Sequence, residues 1–118
     1  LQYYCSWFTS KCEIIEIHTI EEGYYTITSD SITDIDGYFY YENNFTLYDL
    51  HQNSFRTEYD NYCMDQFKAT LYRQMNTSFI LVVTVNIESD QGEFSITVDG
   101  PSKVSMKQLT STYSLISC

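Results

Sequence analysis

Two histidines, His18 and His51, and sixteen acidic side chains are the groups in this 118-residue chain that could do proton-transfer or metal chemistry. His18 follows Glu16 by two residues in an alternating stretch, so the two share one strand face. A His–Glu pair can move protons, but on a strand it is as readily an ordinary surface neighbour pair. There is no Gly-x-Ser-x-Gly elbow and no glycine-rich loop to cradle phosphate. No catalytic residue is assigned, and the expectation is a protein that is not an enzyme. Calcium is the one cation the acids could take: Asp30, Asp34 and Asp36 precede Gly37, and Glu88 and Asp90 precede Gly92. Asp34, Asp36 and Asp90 are the candidate ligands. The same Asp-Gly pairs serve as solvated turns, and an EF-hand loop fails, because it would begin at Ile32 and end at Asn43. No other cofactor is expected.

Cys5, Cys12, Cys63 and Cys118 form no CxxC pair, so a zinc ribbon or thioredoxin-type site is excluded, and the two histidines complete no zinc set. Four cysteines suit an oxidising compartment and two disulfides, for which three pairings exist. Bridging Cys5 to Cys12 and Cys63 to Cys118 is the favoured choice. By chain entropy these bridges would contribute roughly 2–3 and roughly 4 kcal/mol. Two sequons, Asn44-Phe45-Thr46 and Asn76-Thr77-Ser78, point the same way, to a secreted glycoprotein carrying N-glycans at Asn44 and Asn76. The chain starts at Leu1 and reads as a mature product whose signal peptide has been removed. No apolar run reaches the roughly 18 residues of a membrane span.

Six Lys and Arg against sixteen Asp and Glu give a net charge of −10. That excludes nucleic-acid binding, which needs a basic footprint. It also excludes docking on anionic lipid. The partners left are proteins: another extracellular protein, or the chain itself.

The elements that must hold these residues are strands. Twelve Tyr and seven Phe with one Pro favour pleated, half-buried segments. Residues 12–18 alternate, and Glu21-Glu22-Gly23 is a turn before a second alternating run through Tyr25 and Ile27. Asp34-Ile35-Asp36-Gly37 reads as another turn, followed by short strands at 38–42 and 45–50. Residues 51–62 are polar and read as loop or edge. Phe67, Ala69 and Leu71 alternate as a strand, although Met64, Phe67 and Leu71 also have helical spacing. Residues 79–87 are almost continuously apolar, the pattern of a central strand covered on both faces. Ser89-Asp90-Gln91-Gly92 is a hairpin turn, and Phe94, Ile96 and Val98 alternate after it. The expected core is Ile14, Tyr25, Ile27, Phe39, Leu71, Leu81, Val83, Val85, Phe94, Ile96 and Val98. Strands punctuated every eight to twelve residues predict an all-β fold, an antiparallel two-sheet β-sandwich stabilised by disulfides.

The segment from Cys12 to Val98 resembles a CUB domain. Cys12-Glu13-Ile14 through Glu22-Gly23-Tyr24-Tyr25-Thr26-Ile27 resembles that family's first half. Residues 79–85, Ser89-Asp90 and Gly92 through Val98 resemble its closing strands. The Gly-Tyr-Tyr turn is more like the divergent CUB-like domains of nematodes. Thr33-Asp34-Ile35-Asp36-Gly37-Tyr38-Phe39 is similar to a transthyretin-like sandwich over one turn and one strand. The CUB resemblance implies a jelly-roll module that binds proteins or glycans, and for Asp90 a place in a calcium-binding turn. The chain departs from the family in its close Cys5 and Cys12 and in the late Cys118, so disulfide pairing does not carry over.

The chain divides into residues 1–11 as an N-terminal segment, 12–100 as a CUB-like sandwich, and 101–118 as an extension offering an extra or donated strand. Val104 and Met106 would point into a sheet, and Lys103, Ser105 and Lys107 outward. Tyr24, Tyr38 and Tyr40, in alternating aromatic runs, are the expected contact tyrosines, because exposed Tyr buries area at small entropic cost. Two functions follow. One is a non-enzymatic secreted module acting through protein contacts and self-assembling into a structural filament by strand donation. The alternative is a monomeric protein- or carbohydrate-binding module in host defence or cell-surface recognition.

Overall fold

A computed structural model of the protein describes residues 2–8, 12–31, 35–42, 54–58, 67–85 and 93–109. In chain order the strands are β1 (Gln2–Phe8), β2 (Cys12–Thr19), β3 (Gly23–Ser31), β4 (Ile35–Tyr41), β5 (Arg56–Glu58), β6 (Lys68–Arg73), β7 (Thr77–Val85), β8 (Glu93–Asp99) and β9 (Val104–Gln108). They form two antiparallel sheets, ordered β1-β8-β3-β6 and β5-β4-β7-β2-β9. This is the expected all-β, two-sheet architecture.

Period-two placement builds the core between the sheets. From the four-stranded sheet come Tyr25, Ile27, Ala69, Leu71, Phe94, Ile96 and Val98. From the five-stranded sheet come Ile15, Ile17, Ile35, Phe39, Phe79, Leu81, Val83 and Val104. Phe39 lies 6.1 and 6.2 Å, centroid to centroid, from Phe79 and Phe67. The apolar run of β7 occupies the middle of its sheet, with Phe79, Leu81 and Val83 toward the core. Its Ile80 and Val82 face the other way and pack with Ile14, Tyr38 and Tyr40 in a second buried cluster. The reading of β7 as covered on both faces holds for this reason.

That second cluster corrects three expectations. Ile14 is buried, but Ile15 and Ile17, one register step away, fill the core between the sheets. Tyr38 and Tyr40 are 7% and 0% exposed, so neither is a surface contact residue. The Asp36-Gly37 turn is instead the interior of β4, where Gly37 pairs with Val83. A Cβ on Gly37 would stand 3.0 Å from the Phe67 ring, so the glycine makes room for that ring rather than for a turn. Residues 68–73 are a strand, not a helix, with their odd-numbered side chains buried. The strand expected at 45–50 and His51 lie outside the described residues.

The segments flanking the expected sandwich each supply an edge strand. β1 pairs with β8, and β9 pairs with β2 of the same chain, Thr19 opposite Val104 and Ile17 opposite Met106. Val104 is buried and Met106 packs against the core. The buried Tyr25 fastens this part of the fold. Its hydroxyl donates to the Glu21 carbonyl oxygen at 2.6 Å and lies 3.1 Å from Ser102 Oγ, tying the β2–β3 and β8–β9 connections together. Across the opposite edge, Arg56 Nη1 donates to the Thr70 carbonyl oxygen at 3.1 Å and links β5 to β6.

Candidate functional site: a cleft at one end of the sandwich

By register, the end of β2, the start of β3, the ends of β4 and β6, and the starts of β7 and β9 lie together at one end of the sandwich. An open cleft of about 990 Å³ lies there, lined by His18, Tyr41, Glu42, Tyr72, Arg73, Gln74, Asn76, Thr77 and Ser78.

Arg73 is its deepest charged group. In β6 the inward positions are Ala69, Leu71 and Arg73, so the alternation that buries two apolar side chains also buries a guanidinium, 8% exposed. Its Cζ stands 5.1 Å from the Phe79 ring centroid and 5.8 Å from that of Tyr41, a double cation–π contact. Nη2 donates to the Ser78 carbonyl oxygen at 3.2 Å, while Nε is buried with no acceptor. Burial pulls the Arg73 pKa below the usual guanidinium value, with Tyr41 acting in the opposite direction. A guanidinium stays protonated nonetheless.

Ser78 joins two parts of the site. Its carbonyl accepts the Arg73 hydrogen bond, and its Oγ lies 2.8 Å from His18 Nδ1, His18 and Ser78 being direct partners across β2 and β7. The hydrogen-bond partner of His18 is thus Ser78, across the sheet, and not the Glu16 that shares its strand face. The β6–β7 connection is held by Thr77 Oγ1 donating to the Gln74 carbonyl at 2.7 Å and by the Asn76 amide donating to the Ile20 carbonyl at 3.1 Å. Asn76 sits there at φ 53°, in the left-handed region that Asn tolerates well, with its side chain exposed.

The rim is aromatic and apolar. The five large hydrophobic side chains exposed among the described residues are Ile20, Tyr24, Tyr41, Tyr72 and Met75, and all five lie at this end. Tyr24 and Tyr72 are cross-strand partners with ring centroids 5.1 Å apart, edge to face. The Tyr72 hydroxyl donates to Glu22 Oε2. That hydrogen bond, then desolvation, then the charges of Glu22 and Tyr24, raise the Tyr72 pKa above 10.0. Glu21, Glu22 and Glu42 add exposed carboxylates to the same end.

Of the residues singled out from sequence, His18, Tyr24 and Asn76 come to this end of the molecule. Val104 and Met106 serve the chain's own core. Asp36 is buried on β4, opposite Thr84, while Asp34 and Asp90 lie outside the described residues. Among the described residues no three His, Cys, Asp or Glu side chains converge on one point. Cys5 lies on β1 opposite Ile96, and Cys12 opens β2 opposite Thr84. Cys63, Cys118 and Asn44 lie outside the described residues. The sequence reading missed Arg73, Tyr41, Tyr72 and Ser78. The available signal was Arg73 itself, one of six basic residues and placed in phase with Ala69 and Leu71.

No family model matches the chain, and no curated protein matches it. Solved structures do. The chain is similar to the pre-peptidase C-terminal domain of a collagenase from Bacillus anthracis, with TM-score 0.58, 11% identity, and 84% of this chain and 88% of that one covered. It is also similar to PliG of Aeromonas hydrophila, a periplasmic inhibitor of g-type lysozyme, with TM-score 0.53, 8% identity, and coverage of 90% and 86%. At such identities the likeness is one of fold: a small β-sandwich. Among the described residues no helix is long and apolar enough to cross a membrane.

Proposed function

We propose that this protein is a non-enzymatic, secreted recognition module that binds another extracellular protein at the open end of its sandwich. The observation that carries the reading is that, among the described residues, the exposed large aromatic and apolar side chains lie at one end, around a cleft with a buried arginine. Tyr, Met and Arg are the residue types enriched in protein interfaces, and binding energy concentrates in aromatic and arginine anchors. Of the neighbours in fold, one is named as an inhibitor of another protein and one as a domain of a collagenase. Both are consistent with a sandwich that works outside the cytoplasm. The four cysteines and two sequons fit that compartment. Because Asn76 stands on the rim, a glycan there would limit approach to the cleft from that side.

Between the two functions weighed from sequence, strand pairing favours the monomeric module. β9 pairs with β2 at the edge of its own sheet, which supports a strand used within the chain over one donated to a neighbour. The short β9 also carries Lys107 at the edge, a residue that discourages further pairing. Selection from a random-peptide library on the immobilised full chain tests the reading. The expected outcome is binders whose affinity falls when Tyr72→Ala or Gln74→Trp alters the rim or fills the cleft. Binders indifferent to both changes would overturn it.

A further inference from the structure

We infer that Arg73 anchors a carboxylate-binding site, and that the cleft seats one acidic side chain of the protein ligand against its guanidinium. This deepens the reading of the cleft as the binding face and rests on it. Arg73 is more than nine-tenths buried, and its Nε proton meets no acceptor. Among the described residues no carboxylate pairs with this charge; what acts on it is its own burial, with Tyr41 in the opposite direction. A buried ion is ordinarily paired, and stacking on Phe79 and Tyr41 supplies part of that compensation without meeting the unsatisfied donor. A planar acceptor entering from the cleft would give the guanidinium an anionic partner, since its edge matches a carboxylate in geometry and charge.

The surroundings select among anions. Among the described lining residues Arg73 is the one Lys or Arg; the other donors are His18, Gln74, Asn76, Thr77, Ser78 and the tyrosines. One cation with neutral donors suits a monoanion better than a phosphate dianion. The rim carboxylates Glu21, Glu22 and Glu42 and the net charge of −10 repel a polymer of repeated acidic sugars. They favour a ligand that brings one acid to Arg73 and basic residues to the rim, which is the mixed character of a protein surface.

The test is an NMR titration of the full chain with acetyl-Gly-Glu-Gly-amide, with acetyl-Gly-Gln-Gly-amide and methyl glucuronide as the other arms. The Glu peptide is expected to shift the Arg73 Nε–H signal and the Ser78 and Tyr41 resonances more than methyl glucuronide does, and the Gln peptide to leave them in place. Because this readout uses the unaltered protein, it does not depend on a variant folding. Arg73→Met and Arg73→Lys are each expected to weaken the Glu peptide by about tenfold or more, the lysine because it loses the planar fork. Equal shifts with the Glu and Gln peptides would overturn the proposal. So would a response to methyl glucuronide alone, or unchanged binding to Arg73→Met. Library peptides that need the cleft but carry no acid would sink this inference and leave the binding face standing. Peptides that ignore the cleft would sink the face itself.

Discussion

Arg73 holds a charge at a position where the two preceding inward residues of its strand, Ala69 and Leu71, are apolar. With no carboxylate partner among the described residues, its burial works against stability, so removing the charge should cost little. Arg73→Met keeps the length of the stem and gives up the cation–π contacts, worth about 0.5–1 kcal/mol at exposed sites and more when desolvated. It also removes the desolvation cost of the ion. Thermal unfolding is expected to show Tm unchanged or slightly raised; a loss of several kcal/mol would mean that the guanidinium is a structural ion. Tyr72 makes a second prediction. Its folded pKa is raised because the protonated hydroxyl is the form that donates to Glu22. The stabilisation is therefore complete below pH 10 and disappears as pH rises through the folded value. Absorbance titration of the phenols should lose one late-ionising group in Tyr72→Phe, and that group should titrate earlier in Glu22→Gln. The chemistry of these residues was visible in the sequence, but their meeting was not. His18 and Ser78 are sixty positions apart and touch only because β2 and β7 pair in one register.

At the scale of the element, legibility followed burial. Strands β7 and β8 were evident because their apolar pattern is decided by two sheets packing face to face. β4 was misread at its start because Asp-Gly is a turn signal locally, and only the Phe67 ring arriving from a distant segment explains the glycine in a strand. β2 was placed correctly, but its core face was taken from Ile14, since both its faces bury isoleucine. Gly100 gives a sharp test of the connection that leads into β9. A Cβ there would stand 2.1 Å from the Tyr25 ring, so Gly100→Ala must displace a fully buried aromatic. The expected loss is about 2–4 kcal/mol in denaturant unfolding, on the scale of overpacked or disrupted cores. Val104→Ala is expected to cost about 1–2 kcal/mol and leave the sedimentation coefficient unchanged, because β9 serves its own sheet. If that variant instead dissolved an assembly, strand donation would regain its place.

Across the whole molecule, one end differs from the rest. Among the described residues the exposed large hydrophobic side chains gather there, the buried arginine opens there, and a sequon asparagine stands on the rim. Composition foretold the acidic, strand-rich character, and the alternation foretold the two sheets. The asymmetry between the ends was hidden, since it depends on which strand termini the topology brings together. Expressed through a secretory pathway, the protein is expected to lose mass on glycosidase treatment, by a smaller amount in Asn76→Asp, which keeps a residue tolerant of the left-handed turn. An identical loss in both would remove the glycan from the rim. The claim that recognition belongs to this end is tested most directly by cross-saturation NMR between the full chain and a library-selected peptide. The account predicts attenuated signals at Ile20, Tyr24, Tyr41, Tyr72 and Met75, with β5 and the far ends of β2 and β7 unaffected. Attenuation along the β9 or β5 edge, with the cleft silent, would contradict it.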